Sequence, residues 1–308
     1  MTESLSTCRQ AFRGGSLDKQ AYIAAMHRLH ARLFEYPGLL ADGDIARIEI
    51  DAEGVDAVTR DGVRFRLDPI DRRQPPLDAL NFGSFEGADE AMFDRLIGPS
   101  DCVFDVGGNV GWYALRWAKS RPQARIVTFE PVPETRRRLE FNLRRNGLAN
   151  VTVCDFGLSD VDAVITFHVD PALTAGAASV AHNPTAEVRR VTARVRRLDD
   201  VSAELGVAPN VLKVDVEGGE LAVFRGGRQC LAQHRPIVFC EMLRRWTANF
   251  GYHPNAIIDF LAELGYDCFE TAGDRLRAMP RMTDSTAATN FVFLHRVQHD
   301  SVRRRWVD

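Results

Sequence analysis

The residues best suited to chemistry lie in VFDVGGNVG, Val103–Gly111, where Asp105 is followed by Gly107, Gly108, Asn109 and Gly111 in the pattern D-x-G-x-N-x-G. Glycine lets a turn take positive φ and bring its backbone close to a ligand, and a helix that starts there offers unpaired N–H groups and a positive dipole end. Glu130 follows about 20 residues beyond the turn, where a carboxylate accepts both hydroxyls of a ribose. A dinucleotide would need G-x-G-x-x-G so that two phosphates reach bare backbone, and Asn109 puts bulk where a pyrophosphate would press. Asp105 is placed to meet an ammonium group. A phosphate-free zwitterion with a ribose, such as S-adenosylmethionine, suits this set better than a dinucleotide.

Ligands of an open α/β sheet bind outside the carboxyl ends of its strands. The apolar runs here end on or beside Asp105, Glu130, Asp155, Asp215 and Glu241, one acid per strand end. Lys213, Asp215 and Glu217 alternate, so they share one face before the chain turns at Gly218. Asp215, with Glu241 or Lys213, is the candidate for orienting an acceptor or removing its proton. The competing reading has Lys213 merely salt-bridged and Asp215 merely touching the cofactor. A carboxylate pair also supplies oxygen ligands suited to Mg²⁺, but two acids do not make a metal site and no metal ligand is assigned. His182 and His253 are kept only as alternative bases, because a lone loop histidine is ordinarily solvated. The arginines at 136–138 and 144–145 fall on the polar side of one helix without an aromatic platform, which argues against nucleic acid.

The elements that must position these groups follow from period and punctuation. Residues up to about Gly15 show no usable period and are expected to fray. Tyr22, Met26, Leu29 and Leu33 mark one face of a helix from Leu17 to Phe34, stopped by Pro37 and Gly38. Ile45–Ile50, Val55–Arg60 and Val63–Leu67 read as an antiparallel meander, with Asp61-Gly62 as its clearest hairpin turn. Asp68–Pro76 is a polar, proline-bearing connection, and Ala88–Ile97 a short helix. From Asp101 onward strands and helices alternate, which implies parallel strands with crossover helices. Ala163–Val169 and Val188–Val195 break that alternation. They form an expected inserted hairpin over the ligand-binding edge, joined by the small-residue loop Thr174–Asn183. Tyr266–Glu270 and Asn290–His295 close the sheet.

The 308 residues carry a formal net charge of −3, with 45% hydrophobic and 26% charged residues. That balance gathers neither nucleic acid nor an anionic membrane over the whole surface. The six cysteines lack the short spacing of a zinc or redox pair, which fits a reduced, cytoplasmic setting. The first residues have no secretory pattern, and no apolar run approaches the ~20 residues of a membrane-spanning helix.

Several stretches together resemble one family: DVGGNVGWY at Asp105–Tyr113, FEPVPE at Phe129–Glu134, NGLANV at Asn146–Val151, RLDDV at Arg197–Val201, VLKVDVEGGE at Val211–Glu220 and LAELGYDCF at Leu261–Phe269. In order and approximate spacing, from about Phe85 to Leu294, the chain is similar to the FkbM family of S-adenosylmethionine-dependent methyltransferases. The resemblance implies a class I methyltransferase fold: a Rossmann-like α/β doubly wound sheet with an antiparallel closing strand, here with the inserted hairpin and an N-terminal helix and meander. It places Asp105, Gly107, Gly108, Asn109 and Gly111 along the methionine part of the cofactor, Glu130 at its ribose, and Asp155, Phe156 and Gly157 beside its adenine. Gly108 stands where the family usually has alanine, a departure expected to change little. The expected organisation is an extension over 1–76 and a cofactor-binding domain over 77–308. The expected activity is O-methylation of a hydroxyl on a small-molecule natural product or sugar. N-methylation and a catalytically silent scaffold are the rivals. Nucleic acid and membrane are not expected partners, and self-association is assigned, if anywhere, to the N-terminal extension.

Overall fold

The structure, a computed structural model, describes residues 4–169, 178–179 and 189–308. The loop Thr174–Asn183, with His182, lies outside the described residues except for Ala178 and Ser179.

Residues 5–13 are helical, where fraying up to about Gly15 is the expectation from sequence. Ser4 and Thr7 exchange side-chain-to-backbone hydrogen bonds in a capping box that starts a helix over Leu5–Arg13. A second helix, Lys19–His30, folds back on it, and Phe12 stacks on Tyr22 with ring centroids 4.4 Å apart. A 3₁₀ turn at Ala31–Phe34 follows, and a further helical turn, Tyr36–Leu40, accepts Pro37 in its first turn, where no N–H is needed. The meander is β1 (Ile45–Ile50), β2 (Val55–Thr59) and β3 (Arg64–Arg66), antiparallel in that order. Gly62 supplies the positive φ of its second turn. Position 76 lies in the first turn of a helix, Pro75–Phe82. Ala79 and Leu80 of that helix are buried in the same core as Phe65 and Trp112, whose rings stack at 5.1 Å.

The main sheet is built from runs that are apolar on both faces, as parallel strands between two helix layers require. In chain order these are β4 (Cys102–Val106), β5 (Arg125–Phe129) and β6 (Val151–Cys154). The chain then leaves the sheet for β7 (Gly157–Ser159), β8 (Ala163–Val169), β9 (Ala178–Ser179) and β10 (Arg189–Arg197). It returns as β11 (Val211–Val214), β12 (Ile237–Glu241), β13 (Tyr266–Ala272), β14 (Arg275–Ala278) and β15 (Asn290–His295). The eight-stranded order is β14-β13-β15-β12-β11-β4-β5-β6. β4 pairs in parallel with both β5 and β11, whereas β15 runs antiparallel between β12 and β13. This is the doubly wound class I methyltransferase arrangement with an antiparallel closing strand.

The topology reverses between β4 and β11, so the crevice for a ligand opens at the carboxyl ends of these two strands. The inserted hairpin pairs β8 with β10 over seven residues, and β10 lies parallel to β7. Its apolar side, Phe167, Val169, Ala193 and Val195, is buried against Val132, two residues beyond Glu130. The hairpin therefore sits over the carboxyl end of β5.

The tail is a helix, Asp300–Trp306, and Val307 then bridges to Leu276 of the edge strand β14. No helix among the described residues is long and apolar enough to cross a membrane.

Candidate active site

The turn after β4 is held by its neighbours on every side. Gly107 and Gly108 both donate to the carbonyl of Phe129 at 3.1 Å, and Gly111 donates to Gly108 O at 2.8 Å. A Cβ on Gly107 would overlap the carbonyl oxygen of Asp215, and one on Gly111 would overlap Leu115. These glycines are needed for protein packing, in addition to any ligand they admit. Gly108 is equally constrained, because a Cβ there would overlap Oγ1 of Thr128. The substitution for alanine is therefore not the small change expected from sequence. Asn109 takes the left-handed conformation, φ 50°, and its N–H donates to Glu130 Oε2 at 3.0 Å.

Glu130 is 6% exposed, and its other oxygen accepts from Val132 N at 2.9 Å. Burial pushes its pKa up to about 7, against the two backbone donors, which favour the carboxylate. Asp105 is 1% exposed and turned away from solvent. Thr128 donates to its Oδ2 at 3.3 Å, while Oδ1 lies 3.6 Å from Lys213 Nζ. The ammonium that meets Asp105 in this structure belongs to the chain itself.

Lys213 sits beside Asp105 in the strand register and is 5% exposed. Its ammonium also lies 3.2 Å from Asp215 Oδ2 and 5.1 Å from the centre of the Tyr113 ring. Burial opposes its charge, but Asp215 and Asp105 outweigh that and raise its pKa above the ordinary lysine value.

A cleft of about 750 Å³ opens beside this ion pair, and Asn109, Asp215, Glu217 and Glu241 form its floor. One oxygen each from Asp215, Glu217 and Glu241 lies within 4.8 Å of the others. Oxygen donors of this kind suit a divalent cation. Acids so close also relieve their repulsion by keeping protons, and burial followed by Asp215 raises the pKa of both Glu217 and Glu241 well above the carboxylate range.

The opposite wall comes from before the matched stretches: Arg73, Asp78, Phe82, Phe85 and Glu86. Leu243, Arg245, Trp246 and Asn249, following β12, complete it. Glu86 was not singled out from sequence, although Tyr113 donates its hydroxyl to it and burial raises its pKa. Its φ of 55° is a signal visible only in three dimensions. Glu86, Asn109 and Glu217, at 55°, 50° and 55°, are three of the four non-glycine residues with positive φ among the described residues, and all three line this cleft. Backbone held in a disfavoured region gathers at functional sites.

The remaining candidates lie off the cleft. Asp155 is exposed, and Phe156 packs on Phe129 at 5.8 Å under the guanidinium of Arg196. Gly157 lies against Pro131 and Val195. These three sit beyond β6, on the side of Glu130 away from Asp215. His253 is occupied as a helix cap, its Nδ1 accepting from Asn255 N at 3.2 Å. The helix arginines face acids of the N-terminal part, Arg138 pairing with Asp68 and Arg145 with Asp51 at 2.9 Å and Asp56 at 2.6 Å.

Comparison with known proteins agrees with this geometry. The family described as the methyltransferase FkbM domain matches residues 105–268, more than half of the chain. The AMB antimetabolite synthetase AmbE of Pseudomonas aeruginosa is 32% identical over 211 residues, 56% of this chain and 10% of that protein. The hexuronic acid methyltransferase AglP of Haloferax volcanii is 33% identical over 165 residues, 53% of this chain and 62% of that protein. The 2-O-methyltransferase NoeI of Sinorhizobium fredii is 28% identical over 177 residues, 53% of this chain and 72% of that protein. The matches thus span a tenth of the synthetase and about three fifths of AglP. Matched across the glycine turn, the acid-bearing strand ends and the start of β13, the chain belongs to the FkbM methyltransferase family.

Proposed function

We propose that this chain transfers the methyl group of S-adenosylmethionine to a hydroxyl of a small-molecule or saccharide acceptor held in the cleft over Asp215. The observation that carries the reading is the meeting of the cofactor turn and the acid cluster in one cleft, through Asn109 and Asp215.

The residues present fit the cofactor. Glu130 is a buried carboxylate with room for further donors beyond its two backbone N–H groups, as a ribose diol requires. Oδ1 of Asn109 is buried without a hydrogen-bond partner among the described residues, beside the place where the resemblance puts the methionine part. The acids of the cleft complement a positively charged ligand. Bound there, S-adenosylmethionine supplies an electrophilic methyl group whose departure leaves a neutral thioether.

The chain's own contribution is position and proton handling. Asp215, ion-paired with Lys213, is the carboxylate assigned to accept the acceptor's proton. Burial and the neighbouring Asp215 favour the protonated forms of Glu217 and Glu241, in which a carboxyl can donate a hydrogen bond to an acceptor oxygen. The hydroxyl acceptor is supported by the names of the relatives, one a hexuronic acid enzyme and one a 2-O-methyltransferase.

The test is formation of S-adenosylhomocysteine from S-adenosylmethionine with methyl glucuronide and related polyols, with mass spectrometry locating the new methyl group. Asp215→Ala is expected to lower turnover about 100-fold or more, the scale of a lost general base, while S-adenosylhomocysteine binding stays within about threefold. Near-normal turnover in that variant would remove Asp215 from this role.

A further inference from the structure

The turn that carries Asp215 and Glu217 is fastened from two sides. Glu220, 2% exposed, reaches back from the first turn of its helix so that its Oε1 accepts from Val216 N at 3.2 Å and Gly218 N at 2.9 Å. Tyr252 approaches from the other side. Its hydroxyl donates to Gly218 O at 2.7 Å, lies 3.3 Å from Glu220 Oε2, and accepts from Leu221 N at 3.5 Å. Tyr252 ends the segment whose Leu243, Arg245, Trp246 and Asn249 wall the cleft.

The turn is also squeezed between that wall and the cofactor turn. A Cβ on Gly218 would come within 2.7 Å of the Phe250 ring and 2.8 Å of Trp246 O, and Gly107 lies directly against Asp215 O. Asp215–Gly219 is therefore a spacer with the cofactor turn on one side and the Trp246 wall on the other. Glu217 holds φ 55° within it, a disfavoured conformation for a residue with a side chain that persists only where the surroundings hold it.

We infer that Glu220 and Tyr252 are positioning residues that clamp the Asp215–Gly219 turn and thereby couple the cofactor turn to the cleft wall carrying Trp246. The inference rests on the S-adenosylmethionine reading. Neither residue touches the cleft. Each acts through the backbone of the turn, and the coupling gives the cofactor a route to the acceptor wall.

The experiment titrates the full chain with S-adenosylhomocysteine, by calorimetry and by Trp246 emission taken as the difference from Trp246→Phe. The wild type is expected to bind with a change in Trp246 emission. Tyr252→Phe is expected to bind about five- to tenfold more weakly, the scale of one lost hydrogen bond, and to lose most of the emission response at saturation. Glu220→Gln, whose amide oxygen still accepts from Val216 and Gly218, is expected to bind more tightly than Glu220→Ala. Wild-type affinity and emission change in Tyr252→Phe would overturn the clamp. So would a lower melting temperature with the emission response intact, which marks a purely structural role. A wild type that binds no S-adenosylhomocysteine would instead overturn the cofactor reading, and the clamp with it.

Discussion

At Gly108 a single methyl group would overlap Thr128 Oγ1, and the same hydroxyl donates to Asp105. Thr128 is fully buried, so it cannot swing into solvent to make room. Gly108→Ala is expected to destabilise the fold by about 1–3 kcal/mol, the usual cost of overfilling a packed site. Urea denaturation would measure it. Asp105 gives a related lesson. A buried carboxylate needs a partner, and from sequence a ligand's ammonium and the chain's own Lys213 are equivalent answers. The register sets Lys213 beside Asp105, with its ammonium 3.6 Å from Oδ1. Asp78, Glu86, Asp215, Glu217 and Glu241 are the carboxylates that line the cleft.

Helix Pro133–Asn146 is the element through which the N-terminal meander is joined to the glycine turn after β4. Asn142, 1% exposed, accepts from Arg66 N of β3 at 3.0 Å and donates to Val110 O of the turn at 3.0 Å. One turn on, Asn146 exchanges hydrogen bonds with both backbone groups of Arg64 at 2.8 Å. The helix thus presents amide side chains to β3 in place of a neighbouring strand. Asn142→Leu strands one buried donor and one buried acceptor, each worth about 1–3 kcal/mol. The expected loss is therefore several kcal/mol by denaturant titration, against a near-neutral result for the exposed Arg137→Ala.

The parallel strands and their acids were legible in the sequence because doubly buried strands are continuous apolar runs. Ile126–Phe129 and Val211–Val214 leave few other readings. The helices Leu5–Arg13, Pro75–Phe82 and Leu198–Leu205 were not legible, since each is short and shaped by tertiary contacts rather than by a long apolar period. The cleft wall was hidden for another reason. Arg73, Phe82 and Glu86 carry no spacing relation to Asp215, and only folding brings them opposite it.

Three glutamates in different parts of the molecule, half-buried Glu90 and buried Glu130 and Glu220, have pKa values raised to about 7, in each case chiefly by desolvation. Glu90 is held by Trp112 and Arg116, next to the meander's Asp61, which also pairs with Arg116 at 2.8 Å. A carboxyl whose folded pKa exceeds its unfolded value binds its proton more tightly when folded. Its protonation therefore contributes stability at low pH, which is lost as pH rises through about 7. His295 and His299, whose pKa values burial lowers, act in the opposite sense: their unfolded forms release protons through about 6.5, which offsets part of the fall until about pH 7.5. Between pH 6.5 and 8 the melting temperature of the free protein is expected to fall by several degrees. Glu90→Gln is expected to flatten that slope in differential scanning calorimetry.

The cleft's two walls have separate origins in the chain. Its floor belongs to the stretch shared with the family, while Arg73–Glu86 precedes residue 105, where the family match begins. That short segment is nonetheless fastened to the helix that follows the glycine turn: Ala79 and Leu80 share a core with Trp112, and Tyr113 donates to Glu86, so any change to this wall that leaves the turn undisturbed must keep those contacts.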